Sequence, residues 1–388
     1  METAATKRAI TFLQPRMLVF GDGCLRDAIA YLRQLSQKTI HIVGSRAMSE
    51  TVELLCRELT QAGCTVSVQI PASGEPSIRS FLAAVETARA AKPACVLGIG
   101  GGSTLDMAKL VAAFVDNPQQ IEGAFGIGLL RERHCGLVCM PTTSGTGSEV
   151  SPNAILLDEV AQLKKGVVSQ HLVPDAAFID PTLTHSVSPE VTAATGLDAL
   201  THCVEAYTNR YAHPLADLYA LEGVRLASRF LVRAVKDGHD HAAREGMARA
   251  SLYGGLCLGP VNTAAVHALA YPLGGEFHLP HGLANALLLP AVFRFNAEAA
   301  PERHAAVALA LGAMPGKNTM ETVNHGVCVL ENLTRACGLE MNLEKHGIPR
   351  RAIPRMAEAA LTVQRLLRNN PREVTLSDAQ EIYAQCFV

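Results

Sequence analysis

No apolar run in the 388-residue sequence approaches the roughly 20 residues that a helix needs to cross a bilayer, so nothing here suggests a membrane protein. The N-terminal stretch METAATKRAITFLQ has no signal-peptide apolar core, and the 11 cysteines are scattered without a CxxC. A disulfide framework is therefore not expected, and the reduced cytoplasm is the expected compartment. Basic residues form no stripe: 34 Lys and Arg stand against 36 Asp and Glu, a formal net charge of −2, which gives no reason to invoke nucleic acid. Internal repeats and low-complexity segments are also missing. What is present is 48% apolar residues, enough to bury a sizeable core, in a length that accommodates two or three domains.

The chain has two textures. From about residue 15 to 185, short β-rich runs (39–43, 64–70, 94–99, 137–140, 177–180) alternate with helical patterns, the rhythm of βα units on a largely parallel sheet. From about Ser188 onward, long Ala- and Leu-rich stretches (191–211, 215–236, 241–258) carry helical periodicity and few strand candidates. The expected architecture is an α/β domain over 1–185 followed by an all-α domain over 186–388. The join is placed in the Pro- and Ser/Thr-punctuated segment 180–188.

Within the helical half, GLDALTH places Asp198 and His202 four residues apart, on one face of a helix. The later segment HALAYPLGGEFHLPH supplies His267 and His281. Any one of these histidines is an ordinary core or surface residue, but an Asp/His pair on an apolar helix is costly to bury unpaired. Three imidazoles and one carboxylate suit Fe2+ or Zn2+ and poorly suit the oxygen-loving Ca2+ or Mg2+. A metalloenzyme is expected.

The α/β half carries two small-residue loops. Residues 98–106, GIGGGSTLD, follow the apolar run 94–97 and precede a helical pattern, so the order is strand, glycine loop, helix. Such glycines allow backbone N–H groups to approach a phosphate at a helix N-terminus, and a side chain at Gly101 would occupy the space a pyrophosphate needs. The spacing is not the G-x-G-x-x-G fingerprint, and a tight turn uses glycine for steric reasons alone. A second loop, PTTSGTGSE at 141–149, follows another apolar run.

GGGSTLDMAK (100–109), PTTSGTGSEVSPNAI (141–155), the Asp198/His202 helix and the His267-to-His281 segment ending in PHGLANA together resemble the iron-containing, or group III, alcohol dehydrogenases. The likeness covers nearly the whole chain. It implies a dinucleotide-binding α/β domain with a parallel sheet and an all-α domain, the architecture shared with dehydroquinate synthase. It also implies NAD- or NADP-linked interconversion of small alcohols and aldehydes, and a homodimer is expected. Carried over position by position, Asp198, His202, His267 and His281 match the metal ligands. Gly101, Gly102, Ser103 and Asp106 match the pyrophosphate loop, and Thr142, Thr143 and Thr146 the second cofactor loop. Lys164 matches a lysine facing the cofactor, and Asn153 a position lining the substrate site. Maleylacetate reductase and glycerol or hydroxyacid dehydrogenase are the alternatives within the frame. A dehydroquinate-synthase-like lyase is the alternative outside it, but needs a basic cluster that the ligand-bearing segments lack.

Two positions depart from the family pattern. Many members carry a second histidine, assigned to a proton relay, where this chain has Tyr271. A phenol or the nearby His278 is then the candidate relay. After the first predicted strand, NAD-preferring members often hold an Asp for the ribose hydroxyls, whereas this chain reads Val43-Gly44-Ser45-Arg46. Without that carboxylate a 2′-phosphate is not repelled, and Arg46 can pair with it. On this reading NADP is accepted at least comparably with NAD. Arg46→Ala should weaken NADP binding by about 1–3 kcal/mol, and Ser45→Asp should favour NAD. Steady-state kinetics with both cofactors check this, and a native NAD preference that neither substitution alters would overturn it.

Overall fold

The computed structural model describes residues 9–387 apart from Ser73 and Gln162, and the chain divides into two compact units. The α/β unit comprises residues 13–143 and 147–185. The helical unit comprises residues 9–12, 144–146 and 186–387.

The α/β unit contains strands β1 (Met17–Phe20), β2 (Thr39–Gly44), β3 (Thr65–Gln69), β4 (Cys95–Gly100), β5 (Gly126–Ile127), β6 (Gly136–Pro141), β7 (Asn153–Asp158), β8 (Leu163–Val168) and β9 (Ala176–Ile179). Its helices include α1 (Leu25–Arg33), α2 (Ser49–Gln61), α3 (Ile78–Ala91) and α4 (Gly102–Phe114). Six strands form one parallel sheet in the order β1-β9-β6-β4-β2-β3. A parallel sheet covered by helices on both faces buries every residue of its central strands, so β2, β4 and β6 read as nearly unbroken apolar runs. The side chains still alternate. Val96 of β4 packs with Phe81, Val85, Leu105 and Val111 of α3 and α4, while Leu97 and Ile99 pack with Leu32, Leu55 and Leu59 of α1 and α2.

A second, three-stranded sheet, β5-β8-β7, carries the antiparallel pair β7–β8, which the sequence reading does not contain. The strand signal is masked because β8 opens LKKGVV. Its lysines are tied down by ion pairs, Lys165 to Asp158 at 2.7 Å and Lys164 to Glu75 at 2.5 Å, rather than marked by an apolar pattern.

In the helical unit, α5 (Pro189–Thr208), α6 (Pro214–Lys236), α7 (His241–Leu258), α8 (Ala265–Phe277), α9 (His281–Ala297) and α10 (Pro301–Ala310) lead to shorter helices ending with Leu376–Gln385. Helix starts follow capping chemistry. Ser188 accepts from the Val191 N–H with Pro189 in the first turn of α5, and Asp240 accepts from the Ala243 N–H to start α7. Asp180, in the expected join, accepts from the Thr182 N–H and so starts a short 3₁₀ turn, Pro181–Thr184. Among the described residues no helix is long and apolar enough to cross a membrane.

His304 on α10 is buried. Its Nδ1–H donates to the Ala300 carbonyl at 2.8 Å, and its ring meets Phe293 of α9 edge-on at 4.7 Å. Burial pushes its pKa down from 6.5 to about 4. The unfolded chain therefore binds this proton first: the stabilisation is complete above pH 6.5 and is lost as pH falls towards 4. The melting temperature should fall across that window, and less so in His304→Gln. Equal falls in both proteins would show that another group governs the acid limb.

Candidate metal centre and cofactor loops

Three helices bring the predicted ligands together. Asp198 and His202 lie one turn apart on α5, His267 is in the first turn of α8, and His281 opens α9 directly after Pro280. The Asp198 Oδ1 atom is the focus: His267 Nε2 lies 3.6 Å from it, and the Nε2 atoms of His202 and His281 each 3.9 Å. Asp198, His267 and His281 are the tightest trio, with ligand atoms within 4.8 Å of one another, and His202 lies outside that trio. Its ring is nonetheless stacked on His267 at 4.7 Å. Four ligands about 2.0–2.1 Å from a tetrahedral ion are roughly 3.3–3.4 Å apart, so the three carboxylate-to-imidazole spacings of 3.6–3.9 Å lie within about 0.6 Å of that geometry.

The charges are set by burial and by one another. Burial alone would raise the Asp198 carboxyl, yet the imidazoles of His202, His281 and His267 hold it well below the usual carboxylate range. His202 is lowered by burial, which favours the neutral ring that a metal needs. For His267 burial acts downward, but the Glu205 and Asp198 carboxylates outweigh it and lift the pKa to about 9.

Two residues at this centre escaped the sequence reading. Glu205, two turns after Asp198 on α5, accepts from the His267 Nδ1–H at 2.6 Å and from the Val266 N–H at 2.7 Å. Asn285, one turn after His281 on α9, is fully buried. Its Nδ2 donates to Asp198 Oδ1 at 2.7 Å and lies 3.1 and 3.3 Å from the Nε2 atoms of His267 and His281. Its Oδ1 is buried with no hydrogen-bond partner. A focused set of nitrogen and oxygen donors with an orphaned acceptor alongside fits a divalent cation. Both lie at helical spacing from the predicted ligands, Glu205 at i+3 from His202 and Asn285 at i+4 from His281, which is a signal but not a sufficient one.

The candidate relay residues separate. Tyr271 is buried one turn after His267, its ring 6.5 Å from that of His281, and its hydroxyl accepts from the Arg365 guanidinium at 2.9 Å. No sequence signal pointed to Arg365. His278 is exposed and caps the C-terminus of α8 in a left-handed conformation, φ 55°.

In the α/β unit the predicted cofactor residues gather at the carboxyl ends of three adjacent strands. Gly44 of β2 is paired with Ile99 of β4, and Gly100 of β4 with Pro141 of β6, so Ser45-Arg46, Gly101-Gly102-Ser103 and Thr142-Thr143 leave the sheet side by side. Gly101 is the N-cap of α4 and no side chain caps that end, which leaves early amide groups of α4 for an anion. Gly101 itself has an ordinary φ of −74°, with room for a Cβ against Thr143 at 3.4 Å. The steric demand falls instead on Gly100, where a Cβ would meet Thr104 at 2.7 Å, and on Gly98, where it would meet Ala108 at 2.7 Å. Arg46 is exposed and Ser45 half-buried, its N–H donating to the Ile99 carbonyl.

Asp106 is spent on the protein. Its carboxylate accepts from the Ser148 hydroxyl at 2.5 Å and the Ile155 N–H at 3.0 Å. Lys109, one turn on and fully buried, donates to the carbonyls of Ser148, Ser151 and Asn153. Asp106 and Lys109 thus clamp residues 148–155 from one helix face. The Asn153 side-chain oxygen is buried without a partner, and Lys164 is buried against Glu75. Thr146 belongs to the three-residue segment grouped with the helical unit, where a Cβ on the adjacent Gly145 would meet Thr195 at 2.7 Å.

Residues 15–181 match the family profile described as iron-containing alcohol dehydrogenase, and residues 192–387 the profile described as Fe-containing alcohol dehydrogenase family, C-terminal. The chain is 36% identical to long-chain-alcohol dehydrogenase 1 of Geobacillus thermodenitrificans (strain NG80-2) over 379 residues, 96% of this chain and 95% of that protein. It superposes on the crystal structure of a 1,3-propanediol oxidoreductase with a TM-score of 0.93 at 31% identity, covering 98% of this chain and 100% of that one. Its similarity to sulfoacetaldehyde reductase from Bifidobacterium kashiwanohense in complex with NAD+ gives a TM-score of 0.86 at 27% identity, covering 98% and 99%.

The close approach of α9 to α5 depends on Gly282, where a Cβ would lie 2.3 Å from the Ala194 carbonyl oxygen. Backbone cannot yield as a flexible side chain does, so Gly282→Ala must move the N-terminus of α9 and His281 with it. The expected cost is about 1–3 kcal/mol of stability, with at least a tenfold loss of metal affinity. Chemical denaturation and a metal-competition titration check both. Unchanged affinity would show that His281 is not held by this contact.

Proposed function

We propose, from the premise that the chain belongs to the iron-containing alcohol dehydrogenase family, that Asp198, His202, His267 and His281 hold a divalent metal, Fe2+ or Zn2+. The α/β unit would then hold NAD or NADP. The protein is an alcohol and aldehyde oxidoreductase, and small alcohols and aldehydes are the substrates this reading assigns to it. The observation that carries the ligand assignment is the convergence of three imidazole Nε2 atoms on one buried carboxylate oxygen. When bound, the metal supplies Lewis acidity that favours the alkoxide of the alcohol or polarises the carbonyl of the aldehyde.

The protein's own residues do the rest. The α4 N-terminus at Gly101-Gly102-Ser103 receives the pyrophosphate, with Asp106 holding the neighbouring loop in shape. Thr142, Thr143 and Thr146 border the cofactor, and Lys164 and Asn153 belong to the same site in this reading. Such positioning would orient the nicotinamide for hydride transfer. Tyr271, buried beside His281 with its hydroxyl accepting from Arg365, is better placed for proton exchange than the exposed His278. Division of labour near residue 185, a homodimer and a cytoplasmic setting complete the proposal. Glu205, Asn285 and Tyr271, the side chains seen against the ligands, are acidic or neutral, which favours a dehydrogenase over a lyase that grips a phosphorylated substrate.

The test combines metal analysis of the purified protein with NAD(P)H oxidation over a panel of small aldehydes. His267→Ala should lose bound metal and lower kcat/KM by about a thousandfold or more, several kcal/mol of Lewis-acid stabilisation. Its circular dichroism should keep the α/β signature, because the parallel sheet does not depend on this site. Full activity in the variant, or in the metal-stripped protein, would overturn the assignment.

A further inference from the structure

We propose that Glu205 is a positioning residue that fixes the tautomer of His267, so that the neutral ring carries its proton on Nδ1 and offers the Nε2 lone pair to the metal. This rests on the ligand assignment above and adds a residue outside the ligand set. Both Glu205 oxygens are committed to donors. Oε1 takes the Val266 N–H at 2.7 Å, an amide in the uncapped first turn of α8. Oε2 takes the His267 ring at Nδ1, 2.6 Å away. Since a carboxylate only accepts, the Nδ1 atom facing it must carry the hydrogen. That leaves Nε2 as the lone-pair nitrogen of the neutral ring.

The opposite side of the ring gives the same answer independently. Asn285 places its amide nitrogen 2.7 Å from Asp198 Oδ1 and 3.1 Å from His267 Nε2. Turned the other way, its carbonyl oxygen would face a carboxylate oxygen at hydrogen-bond distance, so Asp198 fixes the amide with its NH2 inward. An NH2 group facing Nε2 requires that atom to be an acceptor. Asn285 thus donates on one side to Asp198 and on the other to His267, which in turn donates to Glu205, and in this connected network His267 has one consistent neutral form. Every member is buried, with Asp198 2%, His267 4%, Glu205 4% and Asn285 0% exposed, so water does not scramble it.

Glu205→Gln is the informative change because it keeps the shape and removes one acceptor. A glutamine oxygen can serve either the Val266 amide or His267 Nδ1. If it serves the amide, its NH2 faces Nδ1 and drives the ring proton to Nε2, the atom the metal needs bare. The experiment is 15N–1H correlation of the ring nitrogens in metal-stripped protein, with the pH raised until the spectrum shows a singly protonated ring. A competition titration with Zn2+ measures affinity in parallel. Wild type should show a protonated Nδ1 and a bare Nε2. Glu205→Gln should show a protonated Nε2 in part or in full, together with a 10- to 100-fold weaker Zn2+ affinity. A protonated Nε2 in the wild type, which needs no variant to fold, overturns the proposal. So does a Glu205→Gln protein with wild-type tautomer and wild-type affinity. If instead the wild type shows the Nδ1–H form but binds no Zn2+, the metal reading fails while the tautomer assignment stands.

Discussion

The meeting point of α5, α8 and α9 is organised around the buried Asp198 carboxylate. A lone carboxylate taken out of water costs several kcal/mol, and the cost is met only if its oxygens are fully engaged. Here Oδ1 is surrounded by three imidazole edges and an amide NH2, drawn from α5, α8 and α9. None of these groups can be moved without stranding another. The helices they sit on are therefore locked in rotation as well as in spacing. Gly282 extends the same constraint to the backbone, since α9 reaches its partner only where no Cβ intervenes.

The α/β unit solves a different problem with the same economy of charge. Its parallel strands end together, and the loops that follow need shape without bulk. The buried Lys109 and Asp106 supply it by donating to and accepting from the 148–155 segment, so one helix face adds polar ties to a segment that the buried Val150 and Ala154 also anchor. Burial depresses the lysine and raises the aspartate, and each opposes the shift in the other. The pair is best understood as scaffolding for the loops that carry the small residues.

Much of this was legible in the sequence because the relevant signals are periodic. Apolar runs ending in glycine-rich loops pointed to the parallel sheet, and an Asp/His pair at helical spacing pointed to the cluster that Asp198 forms with the histidines. Features that depend on pairing were less visible. The β7–β8 hairpin hides because charge pairs at Lys164 and Lys165, rather than apolar alternation, fix its face. Glu205 and Asn285 sit at regular helical offsets from the ligands, but an isolated Glu or Asn on a helix reads as an ordinary solvated residue until its partner is known. Which glycines of the 98–102 loop press against the protein itself was not legible. The tight contacts belong to Gly98 and Gly100, and only coordinates separate neighbouring glycines of one loop.

The strand order has a consequence for how the chain acquires its structure. The last strand, β9, lies between β6 and β1, so Met17 finds its partner only when Ala176 has been made. Until then β1 has no neighbour and β6 presents an unpaired edge. A ribosome adding about 5–20 residues per second leaves β1 without a partner for roughly ten seconds or more, and the β6 edge open for roughly 2–7 s. Such distant pairings also slow folding, since loop closure must be completed before any contact rewards it. Synthesis, rather than catalysis, is thus the stage at which this sheet is most exposed to aggregation, and the half-exposed Met17 and Leu18 are the residues at risk.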